Sequence, residues 1–291
     1  MTMPPPDLPF PLVSTDWLAS HLRDADLKII DASWRMPGNP PARADHEKRH
    51  VPGAIFFDLD AVADHASGLP HMLPSPRDFA AAVGALGISG DDRVVVYDDA
   101  GIFSAPRVWW TFRAMGHDAV SVLDGGLPKW LREGRPVESG AVAPAARAYP
   151  DRRARALARS HDDVRSALSS RSAIVLDARP SARFAGEAPE PRPGLRRGHM
   201  PGARNIPHAD VIAADGTLKP AEQLRAIFTA AGATQDAEII TTCGSGVTAA
   251  VLALALAAIG VSQVGLYDGS FAEWGRETND PARFPVAGRP A

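Results

Sequence analysis

Short runs of β-branched and other apolar residues recur along the chain, separated by stretches whose apolar positions have helical spacing. The runs Lys28–Asp31, Arg93–Tyr97 and Val120–Leu123 read as strands in the first half. Ala173–Asp177, Glu238–Thr242 and Gln263–Tyr267 read so in the second. Between strands, "SPRDFAAAVGALG" carries helix punctuation: Ser75 as N-cap, Pro76 at the first helical position and Gly87 as the stop. Another helix is expected to open near Val247, in "VTAAVLALALAAIGV". Strands alternating with helices predict an α/β fold with a mainly parallel sheet covered on both faces. Ligands on such sheets bind beyond the carboxyl ends of the strands.

The pattern occurs twice. Placing "ALGISGDDRVVVYDDAG" (85–101) over "AAGATQDAEIITTCGSG" (230–246) pairs Gly87 with Gly232, Asp91 with Asp236 and Val94-Val95 with Ile239-Ile240. "LKIIDAS" (27–33) matches "AIVLDAR" (173–179), and "RHVPGA" (49–54) matches "GHMPGA" (198–203). "VLDGGLPKW" (122–130) matches "LYDGSFAEW" (266–274). Four matches in one order mark two copies of one domain, and the long period means each copy owns a core. Domains are expected at 1–140 and 159–291. Between them, 141–158 is rich in alanine, proline and arginine without apolar periodicity, as a linker would be.

Composition narrows the function. Net charge is −3 and 45% of residues are hydrophobic, which gives no electrostatic footprint for nucleic acid or an anionic membrane. The start, "MTMPPPDLPFPLVS", lacks a secretory signal and reads as a poorly ordered proline-rich arm. The apolar run from Val247 is too short for a transmembrane span. A single cysteine excludes an internal disulfide, so a cytoplasmic protein is expected. No residue cluster has metal-ligand spacing and no dinucleotide or phosphate loop follows a strand, so neither metal nor cofactor is expected.

That cysteine, Cys243, ends a predicted strand and begins "CGSGVTA". A lone cysteine is commonly a small buried hydrophobe. Here Gly244 and Gly246 permit unusual backbone and close approach, and a helix start with its unpaired N–H groups follows. Successive N–H groups in such a turn make an anion-binding nest, which favours a reactive thiolate. Cysteine-dependent phosphatases carry an arginine six residues after the nucleophile; Ala249 stands there instead, which argues against phosphoryl chemistry.

The paired H-x-P-G-A segments, the paired D-G-x-x-x-x-W segments and the single cysteine loop resemble those of tandem rhodanese-type sulfurtransferases, over nearly the whole chain. The resemblance implies two tandem rhodanese-like domains. The loop is similar to that of members using 3-mercaptopyruvate; members using thiosulfate carry basic residues where Gly244 and Ser245 stand. It implies a persulfide on Cys243 formed from a small-molecule sulfur donor, 3-mercaptopyruvate. The sulfur then passes to thioredoxin, a small thiol or cyanide. A thiosulfate:cyanide sulfurtransferase and a non-enzymatic persulfide carrier remain the alternatives. Asp98 stands at the cysteine position of the first copy and cannot carry sulfane sulfur, so that domain is expected to be silent and to close one side of the active site.

By the same resemblance, Ser245 joins Asp60 and His71 in a proton relay, a hydroxyl polarised by an imidazole that a carboxylate orients. Ser245 as a helix cap is the plainer alternative. Arg183 and Arg192, among Arg179, Arg196, Arg197 and Arg204, are implied to grip the substrate carboxylate, to which guanidinium forks are matched. Gly244, Gly246, Val247 and Thr248 complete the substrate-binding loop. Arg196 and Arg197 fit a solvated basic loop better. His50 and His199, and Asp31 and Asp177, occur in both copies and are expected to be structural. Trp109, Trp110, Trp130 and Trp274 are expected to be packing residues.

Overall fold

The computed structural model of the chain describes residues 8–36, 38–152, 154–234, 236–261 and 264–288. Residues 1–7 of the proline-rich start and Gln263, proposed as a strand residue, lie outside this set.

Among the described residues, ten strands form two five-stranded sheets. The first contains β1 (Leu12–Val13), β2 (Leu27–Asp31), β3 (Ile55–Phe56), β4 (Arg93–Tyr97) and β5 (Val120–Leu123). The second contains β6 (Ala158–Arg159), β7 (Ile174–Asp177), β8 (Arg204–Asn205), β9 (Ile239–Thr242) and β10 (Val264–Tyr267). The orders are β1-β5-β4-β2-β3 and β6-β10-β9-β7-β8, and every pairing is parallel. Each sheet places its fourth strand in chain order, β4 or β9, at the centre. The strand expectations hold to within a residue at their ends.

Alternation along each strand supplies the cores. Ile29, Val95 and Leu123 pack with Leu18, Leu127 and Trp130 in the first unit. Val175, Ile240 and Tyr267 pack with Val164, Phe271 and Trp274 in the second. The two tryptophans are fixed alike, Trp130 Nε1 donating to Pro136 O at 2.7 Å and Trp274 Nε1 to Pro285 O at 2.8 Å. A buried indole N–H usually finds such an acceptor. Trp109 and Trp110 are buried too, so all four serve packing.

Helix Pro76–Ala85 begins as its sequence demands: Ser75 Oγ accepts from Asp78 N at 3.1 Å, and Gly87 follows at φ +74°. The apolar stretch after the cysteine departs from expectation. Its helix runs Ala249–Ala258, two residues later than Val247, because Val247 and Thr248 stay in the turn. Ala249 through Leu256 are all buried, as a helix apolar on every side must be.

Contacts divide the chain into two units. The first holds Met1–Asp64, Pro74–Arg155 and Ala213–Leu218; the second holds His65–Leu73, Ala156–Ile212 and Lys219–Ala291. Residues 141–155 thus lie with the first unit. Arg147 pairs with Asp92 at 2.7 Å and Arg155 with Asp118 at 2.6 Å. His65–Leu73 precedes helix Pro76–Ala85 in sequence yet belongs to the second unit, and Ala213–Leu218 belongs to the first. Among the described residues no helix is long and apolar enough to cross a membrane.

Candidate active site

Cys243 is the first residue past β9, at the carboxyl end of the central strand of its sheet, and is 2% exposed. Its loop is held from one side. Phe271 N donates to Cys243 O at 2.9 Å and Ala272 N to Gly244 O at 2.8 Å. Cys243 N donates to Ser270 Oγ at 3.3 Å. Gly246 turns the loop at φ +80°, a region that favours glycine. Among the described residues, the N–H groups of Gly244, Ser245, Gly246, Val247, Thr248 and Ala249 donate to no protein acceptor. Buried amides are nearly always paired, so this run is a donor array built for something absent from the fold itself.

The first unit shows what such an array accepts. Asp98 follows β4 as Cys243 follows β9. Its Oδ2 takes the amides of Phe103, Ser104 and Ala105 at 2.8, 2.9 and 2.8 Å, and its Oδ1 takes Ala100 at 3.0 Å. Burial nonetheless pushes the Asp98 carboxyl above its ordinary value, against the pull of those amides. The array after β4 is filled by its own side chain. The one after β9 begins with a thiol and stays open.

Two arginines expected at the substrate lie in the second unit. Arg183 sits on the short helix Ser181–Phe184 that follows β7, the neighbour of β9. A Cβ on Gly244 would lie 2.9 Å from Arg183 Nη2, so the missing side chain makes room for this guanidinium over the cysteine loop. Glu190, with a 2% exposed side chain, pairs with Arg183 Nη2 and takes Nε at 3.2 Å. Glu190 also takes Arg179 Nη1 at 2.8 Å. Arg179 is fully buried between Asp177 and the Phe271 ring, 3.8 Å from its centroid. Burial, with the Arg183 charge adding to it, pushes the neighbouring His208 imidazole below its ordinary value.

Arg192 Nη2 lies 3.3 Å from Nε2 of His71, which is 6% exposed, so two candidate residues far apart in sequence meet. Ser245 is buried three residues before Thr248, the N-cap of the next helix, so capping does not explain it. Val247 is buried and Thr248 is half-buried. Asp60 belongs to the first unit, where Trp34 Nε1 donates to its Oδ2 at 3.0 Å.

The remaining polar expectations resolve structurally. His50 Nδ1 bonds His46 O and His199 Nδ1 bonds Phe184 O, both at 2.8 Å. Asp31 takes Ser33 N at 3.0 Å and His46 at 2.8 Å. Arg197 is exposed, as expected. Arg196 corrects the solvated-loop reading: its Nη2 donates to Trp274 O at 3.0 Å and Phe284 O at 2.8 Å. Backbone carbonyls are its partners, and its side chain is half-buried. Glu190 and Ser270 escaped the sequence reading. Glu190 stood in the same "PEPR" stretch as Arg192, and its only signal was an acid among arginines.

The Rhodanese-like domain family matches residues 14–133 and 160–277. The chain belongs to the rhodanese family. A 3-mercaptopyruvate sulfurtransferase of Escherichia coli (strain K12) is 46% identical over 272 residues, 92% of this chain and 96% of that protein. The Homo sapiens 3-mercaptopyruvate sulfurtransferase is 43% identical, covering 94% of each chain. The crystal structure of SseA from Escherichia coli, described as showing the rhodanese fold and catalytic mechanism of 3-mercaptopyruvate sulfotransferases, superposes with a TM-score of 0.82. It is 44% identical, covering 89% of this chain and 98% of that one. Both rhodanese domains of the present chain therefore keep the family's sheet, and only the second carries a thiol at the end of its central strand.

Proposed function

We propose that the protein is a 3-mercaptopyruvate sulfurtransferase working through a persulfide on Cys243. The observation that carries this is the open array of six amides beginning at the only cysteine, with Arg183 laid over Gly244. The Cys243 thiolate attacks the substrate sulfur and the carbon–sulfur bond breaks. Its electron pair leaves with the carbon as pyruvate enolate, which takes a proton to become pyruvate. The outer sulfur of the persulfide carries negative charge, and the loop amides are the donors for it, as they are for the Asp98 oxygens in the other domain. An acceptor thiolate then attacks that outer sulfur and regenerates the Cys243 thiolate, so ping-pong kinetics follow.

Arg183 and Arg192 bind the substrate carboxylate, with Gly244, Gly246, Val247 and Thr248 as the loop beneath it. Ser245 and His71 deliver the proton. Asp60 is the third member of the relay through the family resemblance, and Asp60→Asn tests it. The first rhodanese domain, with Asp98 in its loop, transfers no sulfur. The acceptor is thioredoxin, a small thiol or cyanide, in a reducing compartment such as the cytoplasm, where one unpaired thiol survives.

Incubation with 3-mercaptopyruvate should release pyruvate and leave one added sulfur atom on Cys243 by mass spectrometry. Cys243→Ser should do neither. Pyruvate release that survives in Cys243→Ser would end the proposal, and a strong preference for thiosulfate as donor would replace it with the rhodanese activity.

A further inference from the structure

The segment that carries His71 is fastened to the aspartate that opens the second D-G-x-x-x-x-W segment. Leu73, two residues beyond the imidazole, donates its backbone N–H to Asp268 Oδ2 at 2.7 Å, and Asp268 is only 5% exposed. The residues just after Asp268 hold the cysteine loop. Ser270 Oγ accepts from Cys243 N and donates to Tyr267 O at 2.8 Å, while Phe271 and Ala272 cap the Cys243 and Gly244 carbonyls. One five-residue stretch, 268–272, therefore grips both the nucleophile's loop and the His71 segment.

His71 has left-handed backbone, φ +58°, which a residue bearing a Cβ does not adopt by its own preference. Its direction must be imposed by what anchors the segment. The first unit repeats the anchor: Leu218 N donates to Asp124 Oδ1 at 2.9 Å. In sequence, Leu218 stands to Leu73, and Asp124 to Asp268, as the two repeats stand to each other. The position matching His71 is there Gly216, at φ +83°, which has no side chain to direct. The fastener is common to both domains, and only in one does it carry an imidazole.

We propose that Asp268 is a positioning residue for proton delivery, holding the His71 segment in register with the Cys243 loop so that enolate departure is met by a proton. The proposal rests on the reading of His71 and Ser245 as the relay. The proton passes through the Ser245 hydroxyl to the carbon that has lost sulfur, and His71 replaces it.

The test uses the full-length protein and two readouts. One is steady-state turnover of 3-mercaptopyruvate. The other is the rate of Cys243 alkylation by iodoacetamide, which needs an intact loop but expels no enolate. Asp268→Ala should lower kcat about 10- to 100-fold, the upper end being the cost of misplacing a reacting group by about 1 Å, with KM and alkylation within about twofold. Asp268→Asn, whose side-chain oxygen can take the same N–H, should recover most of kcat. Asp124→Ala, which cuts the matching bond where no imidazole rides on it, should leave kcat alone. If Asp268→Ala does not fold, Asp268→Ser, too short to reach Leu73, must show the same split.

Unchanged kcat in the Asp268 variants beside an impaired His71→Gln would overturn this proposal alone. Unchanged kcat in His71→Gln would overturn the relay beneath it. Turnover and alkylation falling together in Asp268→Ala would reduce Asp268 to a structural bond.

Discussion

The loops that follow β4 and β9 leave equivalent central strands and wind into equivalent buried helices, yet they meet their hydrogen-bonding needs in opposite ways. After β4, four amides close on the Asp98 carboxyl, which fills the loop with its own side chain. After β9, six successive amides have no protein acceptor among the described residues, and a thiol stands where the carboxyl was. The second loop is also one residue shorter, since Ser104 and Thr248 are the two N-caps while Asp98 and Cys243 are the two loop heads. A loop that satisfies its own donors is stable and inert; one that leaves them open holds a fixed field ready for an incoming anion. The side chain at the head of the loop decides between these outcomes.

The largest effect should come from moving the acid across. Cys243→Asp removes the nucleophile, and turnover should fall by at least about four orders of magnitude. The informative part is stability. If the two loops are equivalent donor arrays, the new carboxyl finds amides waiting. Each net hydrogen bond contributes about 0.5–1.5 kcal/mol, and burial penalises the ionised carboxyl, so in mild acid, where the carboxyl is neutral, Cys243→Asp should melt above Cys243→Ala by a margin of about 1–3 kcal/mol. Equal melting of the two variants by calorimetry would break the comparison, showing that the second array is not aimed as the first is.

A smaller effect sharpens what the second loop has and the first lacks. Arg183 lies where a Gly244 side chain would be. On the proposed function, Arg183→Ala removes a charge-assisted partner of the substrate carboxylate worth about 2 kcal/mol, or about 30-fold in kcat/KM. Gly244→Ala should cost about tenfold, because the guanidinium end can swing aside to admit a methyl group but then leaves its place beside Glu190. The double variant should be no worse than Arg183→Ala alone, since both act on one contact. Additive losses in steady-state kinetics would mean that Gly244 serves the loop backbone rather than Arg183.

Much of this arrangement was readable before any coordinates. The strands announced themselves because β-branched runs such as "RVVVY" and "EIITT" have no other comfortable conformation. The repeat aligns Asp98 with Cys243, so the copy without a thiol is visible in the sequence. What stayed hidden were bonds that depend on a backbone N–H meeting a distant side chain. Nothing in "DGSFAEW" says that Asp268 holds Leu73 or that Ser270 meets Cys243 N, because any residue has an amide to donate. The helix starts at Ala249 rather than at Val247, since the turn continues through Val247 and Thr248, whose apolar spacing does not distinguish turn from helix. Arg196 looked solvated among glycines, and its carbonyl partners lie about 80 residues away in sequence.

The smallest effect belongs to the Asp98 loop. Asp98→Asn keeps shape and one acceptor oxygen, but it turns the other acceptor into an amide that faces an N–H donor. One hydrogen bond becomes a donor–donor contact, and the first domain should lose about 1–2 kcal/mol while kcat is untouched. Acid should widen the gap. Burial holds the Asp98 carboxyl above its ordinary value, so the folded chain keeps that proton at a higher pH than the unfolded chain does. Wild-type stability therefore gains from this group as pH falls through the raised folded value towards the unfolded one, near 3.9, and Asp98→Asn has no such gain. Melting curves of the two proteins across mildly acidic pH should separate as pH drops. Curves that converge would mean that the four amides outweigh burial, and that the array binds an ionised group more strongly than its buried position suggests.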